Sequence, residues 1–183
     1  MKPAAAIAVA ALLLIIVAAL PSAQPQIPSG REVVAPSAYV SLEPVARGSS
    51  FQIAVVLKIR PGFHINARKP SAEYLIPTDL RADLPAAFKF VGEISYPKGE
   101  LRTFAFTKTP LNVYQDKIVL RVPLAAQSDA PLGAQHIPLK LRYQACNNEV
   151  CLPPVTLDVD ATVSVAASAA KSRPAHPELF PTQ

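Results

Sequence analysis

The chain has 183 residues, half of them hydrophobic, with 20 prolines, 6 glycines and a net charge of +5. The basic excess is mild and scattered, with no aromatic-interleaved stripe, which argues against nucleic-acid binding. So many prolines exclude long helices from the body of the chain, since each removes a backbone donor and clashes in a helix interior.

Met1-Lys2, the apolar run from Ala4 to Leu20 and the small residues Ser22-Ala23 have the layout of an export signal. Residues 1–23 are therefore expected to form a signal peptide, and the protein to be periplasmic or secreted. Pro21 fits the small-x-small cleavage rule poorly, so an uncleaved inner-membrane anchor is the alternative. No cysteine stands near this site, which excludes a lipid anchor, and no second apolar run is long enough to cross a bilayer.

Residues 24–36, rich in proline and polar side chains, read as a linker, and residues 167–183, with three prolines and no periodicity, as a disordered tail. The segment between them, 37–166, has the size of one domain and alternates like strands. Phe51, Ile53, Val55, Leu57 and Ile59 share one face. So do Ile118, Leu120, Val122 and Leu124, then Ile137, Leu139, Leu141 and Tyr143, then Leu157, Val159, Ala161, Val163 and Val165. A period of two marks strands with one buried and one wet face. Further strands are predicted over Tyr39 to Val45, Phe88 to Tyr96 and Leu101 to Phe106. Turns at Arg47-Gly48-Ser49, Arg60-Pro61-Gly62, Pro97-Lys98-Gly99 and Asp129 to Gly133 separate them. Seven to nine short strands without helical connections imply an antiparallel, immunoglobulin-like β-sandwich.

The two cysteines of an exported chain are read as a pair, because oxidising compartments favour disulfides. Cys146 and Cys151 are separated by Asn147-Asn148-Glu149-Val150, whose asparagines tolerate the left-handed backbone of a tight turn. The pair is thus expected at the end of a hairpin. Closing so small a loop contributes only about 2 kcal/mol, against roughly 4.7 kcal/mol for a hundred-residue loop. A domain with several well-patterned strands does not depend on that, so exchange chemistry and a structural staple both stand. No metal site is expected from two thiols without a third cysteine or nearby histidine, and no organic cofactor motif is present.

The segment Tyr143 to Pro154 (YQACNNEVCLPP) carries a more specific signal. Together with Gly62-Phe63-His64-Ile65-Asn66, Tyr74 to Thr78 and Val113-Tyr114-Gln115-Asp116, it resembles the N-terminal periplasmic domain of the thiol:disulfide interchange protein DsbD, over about residues 37–166. The resemblance implies an immunoglobulin-like domain with a redox-active cysteine pair. Such a domain takes electrons from a thioredoxin-like partner fed by a membrane-embedded reductase. It passes them to periplasmic disulfide isomerases or cytochrome c maturation proteins. It also implies that Cys151 forms the mixed disulfide with partners and Cys146 is the resolving thiol. A cap loop is implied over Arg102 to Asn112, with Phe106 (or Phe104) shielding the disulfide, unless both phenylalanines are core residues of one strand. Phe106 and Tyr143 are accordingly the expected binding residues beside the catalytic Cys146 and Cys151. The chain departs from the best-known member in having four rather than five residues between its cysteines. It also ends after the sandwich, so the thioredoxin-like partner and the membrane reductase are expected as separate chains.

Other residues read more plainly. His64 is expected to be a hydrogen-bonded structural histidine, and Lys140, Arg142 and Glu149 to be solvated. The rival functions are a non-catalytic sandwich that binds a protein or envelope ligand and keeps its disulfide as a staple, and a copper-handling domain using both thiols.

Overall fold

A computed structural model describes residues 27–181, so the expected signal peptide lies outside the described residues. In chain order the strands are β1 (Val34–Val40), β2 (Leu42–Glu43), β3 (Val45–Ala46), β4 (Ser50–Ile59), β5 (His64–Asn66), β6 (Asp79–Ala82) and β7 (Phe88–Phe90). They continue as β8 (Glu100–Arg102), β9 (Leu111–Tyr114), β10 (Lys117–Ala126), β11 (Gly133–Tyr143), β12 (Ala145–Cys146), β13 (Val155–Ala166) and β14 (Arg173–Pro174). The remaining helical structure among the described residues is three single 3₁₀ turns.

The immunoglobulin-like β-sandwich expected from the alternation is the fold observed. One sheet runs β1-β4-β10-β7 and the other β3-β13-β11-β6. Registers place inward residues directly opposite one another. Val55 faces Leu120 and Ile53 faces Val122 in the first sheet, while Leu139 faces Val159 and Leu141 faces Leu157 in the second. Such cross-strand apolar pairs are the unit of sheet stabilisation, and both inner faces contribute to one core. A third sheet, β12-β5-β9-β8, closes one end of the sandwich and carries the cysteines. The chain enters it from β4 through Arg60-Pro61-Gly62, where Gly62 adopts a φ of +83° that other residues avoid.

The expectations need correction at several points. The strand predicted over Phe88 to Tyr96 ends at Phe90, and that over Leu101 to Phe106 stops at Arg102, leaving both Phe104 and Phe106 in a loop. The end of the expected linker 24–36 belongs to the fold, since Val33 and Val34 are core residues and β1 begins at Val34. The expected disordered tail instead returns to the sandwich: β14 pairs with β2, and Leu179 packs on Ala54 and Val56. These two residues occupy outward positions on β4, so the strand is buried on both faces where the tail crosses it.

Candidate functional site

The cysteine hairpin grows out of β11. That strand alternates until Tyr143, passes Gln144 and continues as β12. Cys146 then stands opposite Cys151 as an antiparallel bridge, flanked on one side by a hydrogen bond from Leu152 N to Ala145 O (2.8 Å) and on the other by Asn147 N to Val150 O (2.9 Å). This is a non-hydrogen-bonded cross-strand position, where facing Cα atoms come closest. The two Cα atoms are 3.9 Å apart, nearer than the expected range for a bridged pair, and the sulfurs are bonded. Asn147 makes the turn: its Oδ1 accepts from Glu149 N (2.8 Å) and Val150 N (2.7 Å). The asparagine thus serves the turn through its side-chain oxygen.

The two cysteines differ in access. Cys146 is 1% exposed and sits among core residues, whereas Cys151 is exposed, as are Asn148, Glu149 and Val150 beside it.

The third sheet brings a further ring to the pair. β12 lies along β5 with Ala145 opposite Ile65 and Cys146 opposite His64. Directly opposed residues of an antiparallel pair project to the same face. His64 is fully buried and stacks on Phe104, with ring centroids 3.9 Å apart and planes at 17°. Phe104 stacks in turn on Phe106 at 5.6 Å and 9°. The loop that carries them is tied down at its end by Asn112, whose N donates to Ser71 Oγ and whose Nδ2 donates to Lys69 O, both at 2.8 Å. Phe104 is buried against Leu75, Leu111 and Val113, while Phe106 is 43% exposed. The outermost ring of the stack is therefore the one open to solvent.

Burial pushes the His64 imidazole down to about 4, so it is neutral at neutral pH. Its Nε2 is buried without a hydrogen-bond partner among the described residues. The histidine expected to be structural is thus placed opposite a cysteine. Sequence distance hid this, because only the β5–β12 pairing brings the two together.

Tyr143 is corrected from a binding residue to a core residue. It is the last inward position of β11, has no exposed surface, and donates its hydroxyl to Gly30 O at 2.6 Å. Burial pushes its phenol up to about 12. Lys140 pairs with Asp158 on the exposed face of the second sheet, and Arg142 and Glu149 are exposed. A groove of about 920 Å³ lined by Arg68, Tyr96 and Tyr114 contains neither cysteine. The disulfide therefore lies outside that groove, with Cys151 on the surface.

The family described as the N-terminal part of the thiol:disulfide interchange protein DsbD matches residues 30–162. The chain is similar to the crystal structure of the N-terminal domain of DsbD from Neisseria meningitidis in the reduced form, with 21% identity and a TM-score of 0.47, covering 75% of this chain and 90% of that one. It is also similar to the N-terminal periplasmic domain of ScsB from Proteus mirabilis, with 16% identity and a TM-score of 0.43, covering 70% of this chain and 46% of that one. No curated protein sequence matches the chain.

Proposed function

The chain belongs to the family of the N-terminal domain of the thiol:disulfide interchange protein DsbD, and from that premise we propose that Cys146 and Cys151 are a working disulfide that relays electrons outside the cytoplasm. The carrying observation is the asymmetry of the pair: Cys151 is exposed and Cys146 is buried. A thiolate of a thioredoxin-like partner attacks the Cys151 sulfur. The Cys146–Cys151 bond breaks, the mixed disulfide forms, and Cys146 leaves with the electron pair as a thiolate. The partner's second thiolate then attacks its own sulfur in the mixed disulfide and releases Cys151. The partner is oxidised and this domain reduced by two electrons. The reverse sequence, against an oxidised acceptor, passes them on.

A staple explains the site less well, because the hairpin is already closed by backbone hydrogen bonds on both sides of the sulfurs. A thioredoxin-like donor, a membrane reductase and extracytoplasmic acceptors are the partners proposed from membership of this family, and the periplasm is the compartment proposed from the residue 1–23 pattern.

The test is trapping. Cys146→Ser leaves Cys151 free to hold a thioredoxin-like partner as a mixed disulfide, visible on a non-reducing gel, while Cys151→Ser traps at least tenfold less. A redox-buffer titration of the wild-type domain should give a potential above about −300 mV. A bond that no oxidoreductase opens in the native protein would overturn the proposal.

A further inference from the structure

The exchange chemistry leaves one buried group unused. His64 stands opposite Cys146 in the β5–β12 ladder, lies under Phe104, and has an Nε2 without a partner among the described residues. A buried polar atom left unpaired is unfavourable and calls for an explanation. Facing residues of an antiparallel pair carry Cβ atoms about 4.5–5.5 Å apart, so an imidazole can reach a sulfur across that gap. In the oxidised protein the sulfur opposite is part of a disulfide, which has no proton and accepts only weakly. A thiolate at the same place is a strong acceptor and a thiol is also a donor.

We propose that His64 is the hydrogen-bond partner of Cys146 in the reduced protein, a positioning residue that stabilises the opened pair and the resolving thiolate. This deepens the reading of the cysteines as a working disulfide and rests on it. When a visiting thiolate attacks Cys151, the Cys146 sulfur departs with the bonding electrons into a pocket almost closed to water. His64, neutral and in its Nε2–H tautomer, donates to that thiolate. The proton that completes the Cys146 thiol comes from solvent. In the return step the Cys146 thiol gives its proton back to solvent, and its sulfur attacks the Cys151 side of the mixed disulfide. The visitor's sulfur leaves as a thiolate, with His64 holding the nucleophile in place. The ring of Phe104 fixes the imidazole plane and limits competing water. Burial is the sole cause of the lowered His64 pKa, with no charged side chain contributing, so the imidazole acts as a neutral donor rather than as a cation.

The test uses dithiothreitol as the reductant and needs no partner protein. His64→Phe keeps a ring under Phe104 and removes the nitrogen; His64→Gln restores a donor. His64→Phe should shift the dithiothreitol equilibrium about tenfold toward the disulfide, a potential about 30 mV lower. In a Cys151→Ser background, His64→Phe should raise the pKa of the Cys146 thiol, read from the pH dependence of its alkylation. His64→Gln should recover part of both. A folded His64→Phe protein with unchanged potential and unchanged thiol pKa overturns the proposal. Should that variant fail to fold, ¹⁵N spectra of the wild-type imidazole decide: a ring-nitrogen shift on reduction supports it, and identical spectra in both redox states overturn it. Failure here leaves partner trapping at Cys151 standing. Failure of trapping, with the dithiothreitol result positive, sinks the relay and not the hydrogen bond.

Discussion

The Tyr143 hydroxyl donates a 2.6 Å hydrogen bond to the carbonyl of Gly30, fastening the strand that feeds the cysteine hairpin to the segment just before β1. The bond is wholly buried. Tyr143→Phe should therefore lower stability by about 1–2 kcal/mol, as expected for one buried hydrogen bond whose acceptor is left unpaired. The potential of the disulfide should not move. Urea unfolding and a dithiothreitol titration read the two quantities, and a large shift in potential would return Tyr143 to the binding site.

Phe106 and Phe104 should separate in effect. Phe106→Ala is expected to speed reduction by small thiols several-fold while changing stability by less than about 1 kcal/mol, because the ring is already part exposed. Phe104→Ala should show the faster reduction together with a loss of about 2–4 kcal/mol from the satellite core with Leu75, Leu111 and Val113. Unchanged rates in both variants would show that the loop does not shield the sulfurs.

His64 predicts a specific pH dependence. Its folded pKa, about 4, lies below the unfolded value of 6.5, so below pH 6.5 the unfolded chain binds a proton that the folded one refuses. The stability it contributes is complete above pH 6.5. It is lost as pH falls toward 4, with a proton-linkage slope approaching one. Denaturant midpoints measured from pH 7 to 4 should fall in the wild type and fall less in His64→Phe. Parallel profiles would contradict the assignment.

Leu179 tests the returning tail. Leu179→Ala should cost about 1–3 kcal/mol, since the side chain is 7% exposed and packed on Ala54 and Val56. The hydrogen bond from Arg121 Nε to Leu179 O, at 2.8 Å, should keep the segment in place for the point variant. Ending the chain at Ser172 should give a larger loss. Equal stability of all three proteins would free the tail from the fold.

How far the sequence could be read depended on the range of the interaction. The long strands were legible because Ile53, Val55 and Leu57, like Leu139 and Leu141, alternate within a few residues of chain. The cysteine hairpin is legible for the same reason, although its turn is made by the Asn147 side-chain oxygen and not by a left-handed asparagine backbone. The returning tail has one cue in the sequence: Ala54 and Val56 are apolar at positions that alternation assigns to water, which signals a cover over β4. Phe104 and Phe106 sit two apart and mimic a strand, but the loop that holds them is set by Asn112 reaching Ser71 and Lys69. The meeting of His64 with Cys146 has no local signature, since it follows from the register between β5 and β12. Tyr143 belongs to the cysteine motif, but its own parity in β11 turns it inward, away from any visitor.

The hairpin around Cys146 and Cys151 holds its shape through peptide groups and the Asn147 amide oxygen, independently of the bond between the sulfurs. Rupture and re-formation of that bond consequently displace little polypeptide. Under the proposed relay, turnover in both directions then depends on who can dock and how well the departing sulfur is solvated, rather than on any refolding of the arm that carries it.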